Sequence, residues 1–556
     1  MRNLIFISAF IFHFIMFSAY AQSDWQAEVD SIIQKNTENQ QLGVTVGITK
    51  NNKLVYHNYT GLANLEYNVP FNDSTIIGLA SVTKQFTAAC IAVLEKQKLL
   101  SVEEDIRKYI PELKVYEKPI RIKHLLNHTS GIRNHNVLLS LQGFDYEHRG
   151  YTNEMIQNLM FRQRDVNGIA GKKMLYSNTN YVFLALIVER VSGKTIADFA
   201  KDQLFEPLGM KNTFYRKDLE EVVSNKACGY YFDGKEYKHP KSLTLCVGAG
   251  GVKTTISDIS EWSKIFLDNA HPFAYIAKFL TTKDALNDGS EITQARGVFV
   301  WEYAGKTVIE HGGRDIGMRS HFICIPKEKM SIMVYANSEH INAQGIAFNI
   351  LDEINNNAET VTETNEQSIY QHSKSELEKF VGSYQEKNSD LLMNFFIEND
   401  TLKVKTNMGN TAVPLISSSE NTLHRLNAKN VVYAFYNTSK NNQNSDIDLG
   451  VDFGGARFYF EKVELFPAEK FNTKEYVGKF YSDELDITYH IFQEKGNLVL
   501  SFPNNENILL SSRRKDEFGT GRRMRLSFKR NKNGKIHAFK VAAEGTVKDI
   551  LFERIE

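Results

Sequence analysis

At 556 residues the chain is too long for a single hydrophobic core, and its 42% hydrophobic content suits globular domains. Its 66 basic and 66 acidic residues cancel, which leaves nucleic-acid binding without electrostatic support. Four scattered cysteines, with no Cys-x-x-Cys, no His-x-His pair in acidic company and no Gly-x-Ser-x-Gly step, argue against a metal centre, a disulfide framework and an α/β-hydrolase elbow.

In chain order, the first segment concerns address rather than fold. Arg2, an apolar stretch from Leu4 to Phe17 and the run Ser18 to Ala21 predict a signal peptide over 1–21, with a mature chain from Gln22. No cysteine sits at the cleavage site to take a lipid anchor, and no later apolar run has the length of a membrane span. The expectation is an exported protein, periplasmic or secreted. A helix is predicted near Trp25 to Lys35. Alternation of Val44, Val46 and Ile48 then predicts a strand, with Asn51 and Asn52 as the turn of a hairpin.

Next comes Ser81-Val82-Thr83-Lys84, at the mouth of an apolar run in which Phe86, Ala89, Cys90, Val93 and Leu94 keep helical spacing. Residues three apart share a helix face, so the Lys84 amine can reach the Ser81 hydroxyl, a weak nucleophile that needs an adjacent base. Alone, this step reads as an ordinary helix start with a surface lysine, because two fixed positions in four recur by chance. Tyr176-Ser177-Asn178 follows, directly before an apolar helical stretch, Tyr181 to Val191, that stops at Gly193. Thr255 and Asp258 have capping-box spacing at the head of a helix through Trp262 and Phe266. Strands are predicted at Gly297 to Tyr303, Thr307 to Glu310, Ser320 to Ile325 and Ser331 to Ala336, with His311-Gly312-Gly313 directly after the second. Strands at both ends of a helical middle predict one antiparallel sheet flanked by helices.

The order Ser-x-x-Lys, Tyr-x-Asn, His-x-Gly resembles the three-motif set of the serine β-lactamase and penicillin-binding-protein superfamily. Arg121 to Ile132 (RIKHLLNHTSGI), Glu206 to Thr213 (EPLGMKNT), Ala249 to Trp262 (AGGVKTTISDISEW) and the HGGRDIGMRS stretch from His311 are similar to signature blocks of its hydrolases near class C. The resemblance covers Val44 to Asn337. It implies an α+β, β-lactamase/transpeptidase-like catalytic domain with the site between sheet and helices. It also implies roles: Ser81 attacks a carbonyl to form an acyl-enzyme, Lys84 helps remove its proton, and Tyr176 acts as general acid or base. Lys84 and Tyr176 both fit as the base, because a pocket holding both must favour a neutral amine or a phenolate. Asn178, His311 and Gly313 would contact substrate, and the backbone N–H groups of Ser81 and Arg314 would form the oxyanion hole. His128 belongs to a family block but matches no catalytic position and reads as structural.

One departure matters. Where β-lactamases and most transpeptidases carry Lys-Thr-Gly or Lys-Ser-Gly, this chain has His311, Gly312 and Gly313. An imidazole in place of a permanent cation removes a firm anchor for a substrate carboxylate, so efficient β-lactamase activity is not expected. The His-x-Gly form resembles D-aminopeptidases and family esterases. Gly313 suits a substrate backbone laid along this strand.

Asn355 to Ser375 is polar and reads as a linker closing a catalytic region at 22–354. Beyond it Phe380-Val381-Gly382-Ser383-Tyr384 is echoed by Tyr476-Val477-Gly478-Lys479-Phe480, and Phe460-Glu461-Lys462-Val463-Glu464 by Phe552-Glu553-Arg554-Ile555-Glu556. Two small antiparallel barrels are predicted, at 376–468 and 469–556, with one larger barrel as the alternative. A catalytic domain followed by two lipocalin-like barrels resembles the D-aminopeptidase architecture. The basic loop Arg513, Arg514, Lys515, Arg522, Arg523 either overhangs the active site and selects carboxylates or is a solvated hairpin tip. Three functions follow: a peptidase or amidase on D-amino-acid-containing or peptidoglycan-derived peptides, a carboxylesterase of the same fold, or a low-turnover protein that binds penicillin or muropeptides. The expected partner is a small peptide, amide or ester; no cofactor, metal, nucleic acid or integral membrane segment is expected.

Overall fold

The computed structural model describes residues 25–37, 41–146, 148–240, 244–356, 370–386, 389–407, 411–425, 428–436, 447–453, 457–465, 472–521 and 523–556. The signal-peptide segment, residues 357–369 of the linker and Arg522 lie outside the described residues. Asn51 and Asn52 both take the left-handed region, at φ +50° and +63°, and fold Val44–Lys50 back onto Lys53–Thr60. Val44–Lys50 pairs on its other edge with Met330–Ala336, from Val44 opposite Ala336 to Lys50 opposite Met330. The N-terminal hairpin is thereby joined to a C-terminal meander. The antiparallel sheet runs Phe299–Tyr303, Lys306–Asp315, Met318–Ile325, Met330–Ala336, Val44–Lys50, Lys53–Thr60 in spatial order.

Val44 to Thr49 is buried at every position rather than at alternate ones, because helices cover both faces. Trp25–Thr37 and Ala343–Asn356 bring Val29, Ile33, Ile346 and Ile350 to one face. Ile256–Leu267 covers the other so closely that a Cβ at Gly47 would lie 2.4 Å from Ile256 Cγ2. Each aliphatic side chain buried here contributes about 1.5–3 kcal/mol. Thr255 caps that helix by accepting from Asp258 N at 3.2 Å. The Asp258 carboxylate accepts from Asn212 N (2.7 Å) and Thr213 Oγ1 (2.8 Å), which ties the Glu206–Thr213 block to the helix.

The helical side of the molecule centres on Lys84–Lys96 and Asn178–Ser192, the latter buried without a break from Thr179 to Val188 and stopped at Gly193, φ +70°. Ser81, expected at a helix start, lies in the short 3-10 turn Ala80–Thr83 that leads into the first of these helices.

Among the described residues eight strands from Gly382 to Val463 close into a barrel, and nine from Gly478 to Arg554 form a second, nearly closed one. The repeated sequences are the entry and the seam of each. A one-turn 3-10 helix buries Phe380 in one unit and Tyr476 in the other. Gly382 (φ +141°) and Gly478 (φ +154°) then bend the chain into the first strand. The echoed endings pair back onto that strand, Tyr384 opposite Lys462 and Phe480 opposite Arg554.

The second barrel is built into the catalytic region. Its core residues, Tyr489, Phe502 and Phe552 among them, belong to the same hydrophobic cluster as Phe86 and Trp262. Arg133 and Glu484, 1% and 3% exposed, form an ion pair at 2.6 Å across the junction. Tyr489 Oη donates to Leu141 O (2.7 Å), Gln142 Nε2 to Leu485 O (2.6 Å), and Asn167 Nδ2 to Thr546 O (2.7 Å). Two arginines of the basic loop, Arg513 and Arg514, are engaged by the first barrel. Arg513 is buried against Asp390 (3.1 Å) and Arg514 pairs with Glu461 (2.8 Å), so opposite charges on the first barrel hold both arginines between the two barrels.

Candidate active site

Three elements converge on Ser81. Leu79 N donates to Val252 O (3.1 Å), tying the nucleophile turn to the Val252–Thr254 strand, and Ser320 Oγ donates to Leu79 O (2.8 Å), tying it to the sheet. Ala80 is held at φ +47°, a conformation that costs a non-glycine residue energy and persists only when its surroundings fix it. A Cβ at Gly313 would lie 2.1 Å from Ser320 Oγ and 2.4 Å from Leu79 O. The space a side chain at Gly313 would need is therefore filled by the protein itself, so glycine is required for strand packing against the nucleophile turn rather than for substrate approach alone.

Lys84 is completely buried, with Nζ 3.0 Å from Ser81 Oγ, 2.9 Å from Asn178 Oδ1 and 2.9 Å from Ala249 O. Burial pulls its pKa down to about 7. Asn178 Oδ1 and Ala249 O can only accept, so they use both N–H groups of a neutral amine and leave its lone pair facing the Ser81 hydroxyl. Asn178 is oriented in turn, because its Nδ2 donates to Asn136 Oδ1 (2.8 Å), and Asn136 Nδ2 donates to Tyr151 Oη (3.1 Å).

Tyr176 stands next to Ser81, and its ring centroid lies 5.0 Å from Lys84 Nζ. Burial raises the Tyr176 pKa above the usual phenol value, only partly offset by the nearby Ser81, so the phenol is neutral. His128 packs on the Tyr176 ring at 4.1 Å between centroids. Its Nδ1 accepts from Ser177 N (3.2 Å) and lies 3.1 Å from Asn180 Nδ2, while its own carbonyl accepts from Leu175 N (2.8 Å). His128 thus holds the loop that presents Tyr176 and Asn178.

His311 lies 6.3 Å from the Tyr176 ring and 5.5 Å from Phe299, centroid to centroid. Burial, and after it the charge of Lys84, push its pKa down to about 3, so the ring is neutral. Its Nδ1, 2.6 Å from Gly312 O, must donate to that carbonyl, which leaves Nε2 as a buried acceptor without a partner. The side chain at this position is thus a neutral imidazole where the lysine motif would place a cation.

Beside Ser81 opens a cavity of about 670 Å³, to which Ala80, Asn178, Ala249 and Arg314 also contribute. One wall comes from the His135–Leu141 helix and the segment after it: His135, Asn136, Ser140, Tyr146 and Tyr151. Arg216, Lys226, Lys253, Arg314 and Asp315 also line it. The structure brings Ser81, Lys84, Tyr176 and Asn178 together, with His311 behind Tyr176. Asn136, Tyr151, Arg216, Lys226 and Lys253 were not named as site residues from sequence, although Lys253 stands within the AGGVKTT block. Among the described residues no group of three or more His, Cys, Asp or Glu side chains is placed to hold a metal.

The Beta-lactamase family profile matches residues 29–352, more than half of the chain. The chain belongs to the beta-lactamase family. Within this family of serine hydrolases it is 27% identical over 321 residues to penicillin-binding protein 4* of Bacillus subtilis (strain 168), covering 54% of this chain and 69% of that protein. It is 24% identical over 307 residues to a D-aminopeptidase of Gluconobacter oxydans (strain 621H), covering 55% of this chain and 57% of the relative. The match thus spans little more than half of that D-aminopeptidase. The octameric penicillin-binding protein homologue from Pyrococcus abyssi superposes with a TM-score of 0.55 at 22% identity, covering 79% of this chain and 100% of that one, a likeness of fold. This beta-lactamase-family chain resembles both the penicillin-binding proteins and the D-aminopeptidases, as its motifs implied.

Proposed function

We propose that this protein is an exported active-site-serine peptidase or amidase that acts through an acyl-enzyme on D-amino-acid-containing or peptidoglycan-derived peptides. The observation that carries the reading is the Lys84 amine, buried and poised at neutrality 3.0 Å from Ser81 Oγ. Ser81 Oγ attacks the scissile carbonyl and its proton passes to Lys84. The negative oxygen is held by the backbone N–H groups of Ser81 and Arg314. As the C–N bond breaks, Tyr176 gives its proton to the departing nitrogen and takes one back from Lys84, so the acyl-enzyme forms with no net proton lost. Water then retraces the path, with Lys84 as base and Ser81 as leaving group. In this scheme Lys84 is the acylation base and Tyr176 the acid, consistent with an amine whose pKa is lowered and a phenol whose pKa is raised.

The substrate class rests on His311 in the lysine position and on the D-aminopeptidase relatives. Export rests on the leader-like character of residues 1–21. A turnover screen of residues 22–556 against matched L- and D-amino-acid amides, short peptides, a short-chain nitrophenyl ester and nitrocefin, with Ser81→Ala alongside, tests this reading. Selective release from D-configured amides is expected. Hydrolysis of the ester alone would replace the peptidase by an esterase of the same fold.

A further inference from the structure

The strand Lys306–Asp315 serves the active site with one face only. Ile309 belongs to the hydrophobic cluster that holds Phe86 and Trp262, and His311 and Gly313 continue that face towards Tyr176 and the nucleophile turn. Val308, out of phase by one residue, packs with Ile346 and Ile350 on the opposite face. There the strand places an acid, Glu310, that the acyl-transfer chemistry does not use.

Glu310 is 8% exposed and sits beside His321, 2% exposed, from the neighbouring strand. His321 Nε2 lies 3.4 Å from Glu310 Oε2 and has no other partner among the described residues. Gly312, opposite His321 in register, leaves the room, since a Cβ there would lie 3.1 Å from His321 Nδ1. Trp301 stands beside the carboxyl from the strand on the other side. Phe348, on the helix Ala343–Asn356, closes the cluster with its ring centroid 5.7 Å from those of Trp301 and His321.

Among the described residues no lysine or arginine pairs with Glu310. On the elements packed around it, Lys306 pairs with Glu328 (3.3 Å) and Arg319 with Glu339 (3.7 Å). Glu302 accepts from Thr307 (2.6 Å) and Asp352 from Tyr303 Oη (2.9 Å). Arg314 and Asp315 lie at the cavity end of the strand, Cys324 faces the opposite side, and Glu353 stands beyond Phe348 on the helix. A carboxylate at this depth without a cation is costly, so burial raises the Glu310 pKa to about 7, while burial lowers that of His321 to about 3. Below the first value the proton sits on the carboxyl, and His321 Nε2 is the acceptor beside it.

We infer that Glu310 is a positioning residue of the active site: as a neutral acid donating to His321, it fixes from behind the strand that presents His311 and Gly313 to the nucleophile turn. This rests on the serine-hydrolase reading of Ser81 and adds a second, remote proton on which turnover depends. With that proton gone, a charge is left between sheet and helix with no cation to receive it, and the strand shifts where Gly313 packs on Leu79 O. The protonated acid is the competent form, so the rise in turnover that Lys84 brings is followed by a fall as Glu310 ionises.

Infrared difference spectra of the wild type against Glu310→Gln, taken beside kcat/KM profiles over the same pH range, test this. A carboxylic-acid C=O band is expected in the wild type on the acid side, lost as pH rises and absent from Glu310→Gln. The glutamine reproduces the neutral acid in shape and as a donor, so this variant should keep the rise and lose the alkaline fall. Glu310→Ala, which has no donor, should lower kcat about tenfold at every pH; should it fail to fold, the glutamine comparison decides alone. A missing band, or an alkaline fall unchanged in Glu310→Gln, overturns the positioning role. A wild type that shows the band but turns over no substrate overturns the hydrolase reading instead, and the positioning role with it, while the protonated pair stands.

Discussion

Replacing Glu484 with alanine tests whether the second barrel supports the active site rather than merely following it in the chain. The carboxylate accepts from Arg133 Nη1 at 2.6 Å and from Arg164 N at 2.9 Å. Without it the Arg133 guanidinium keeps Gln163 Oε1 and Lys548 O, each at 2.9 Å, but is left in the interior with no counter-charge from Glu484. Breaking a buried pair from one side costs about 3–5 kcal/mol. The damage should reach the chemistry, because the Arg133 carbonyl accepts from Thr179 Oγ1 (2.8 Å) and Ser177 Oγ (3.3 Å), the residues flanking Asn178. Urea unfolding followed by tryptophan fluorescence should show that loss, with kcat falling about tenfold or more as Asn178 shifts. Removing both charges, as Arg133→Met with Glu484→Leu, should be milder than the sum of the single changes, with a coupling of about 1–3 kcal/mol. A Glu484→Ala protein within about 0.5 kcal/mol of wild type and with unchanged kcat would refute the reasoning.

The remaining predictions concern the site itself. With Lys84 as base, kcat/KM should rise with pH through an apparent pKa of about 7; a profile flat from pH 5 to 9 contradicts it. Stability should follow the same group: below about 7 Lys84 is charged in both states and its desolvation opposes folding in full. Between there and about 10.4 the unfolded chain binds more protons, so stability rises with pH, and Lys84→Met should flatten that rise in urea titrations. Tyr176→Phe should lower kcat by about 10²–10⁴ with little change in KM, read by steady-state kinetics. Gly313→Ala should cost about 1–3 kcal/mol in urea unfolding and most of the turnover, because its Cβ would press on the Leu79 carbonyl that fixes the nucleophile turn; wild-type turnover in this variant would show that the strand can retreat.

What could be read from the sequence was mostly local. Ser81 and Lys84 are three residues apart, so helix geometry alone brings them together, and Asn51-Asn52 and Thr255 announce their turn and cap through their own backbone preferences. Tyr176, Asn178 and His311 were legible only through motif order, since no local rule places them beside Ser81. Asn136 left no trace, because its role comes from a hydrogen bond to Asn178 across 42 residues. Alternation of Val44, Val46 and Ile48 marked the strand Val44–Lys50, but not its burial at every position from Val44 to Thr49, which comes from helices far apart in sequence covering both faces. Arg513 and Arg514 looked like a free basic loop until Asp390 and Glu461, on the other barrel, were placed against them. The repeat endings, by contrast, marked the seams of two barrels because strand closure pairs first with last.

The central claim is that Ser81 carries a covalent acyl group during turnover. Intact-mass measurement and peptide mapping of protein quenched while it hydrolyses a slow nitrophenyl ester address it directly. An acyl adduct confined to the Ser81 peptide, absent along with turnover in Ser81→Ala, is the predicted result. Turnover in Ser81→Ala at the wild-type rate, or an adduct on another residue, would contradict it.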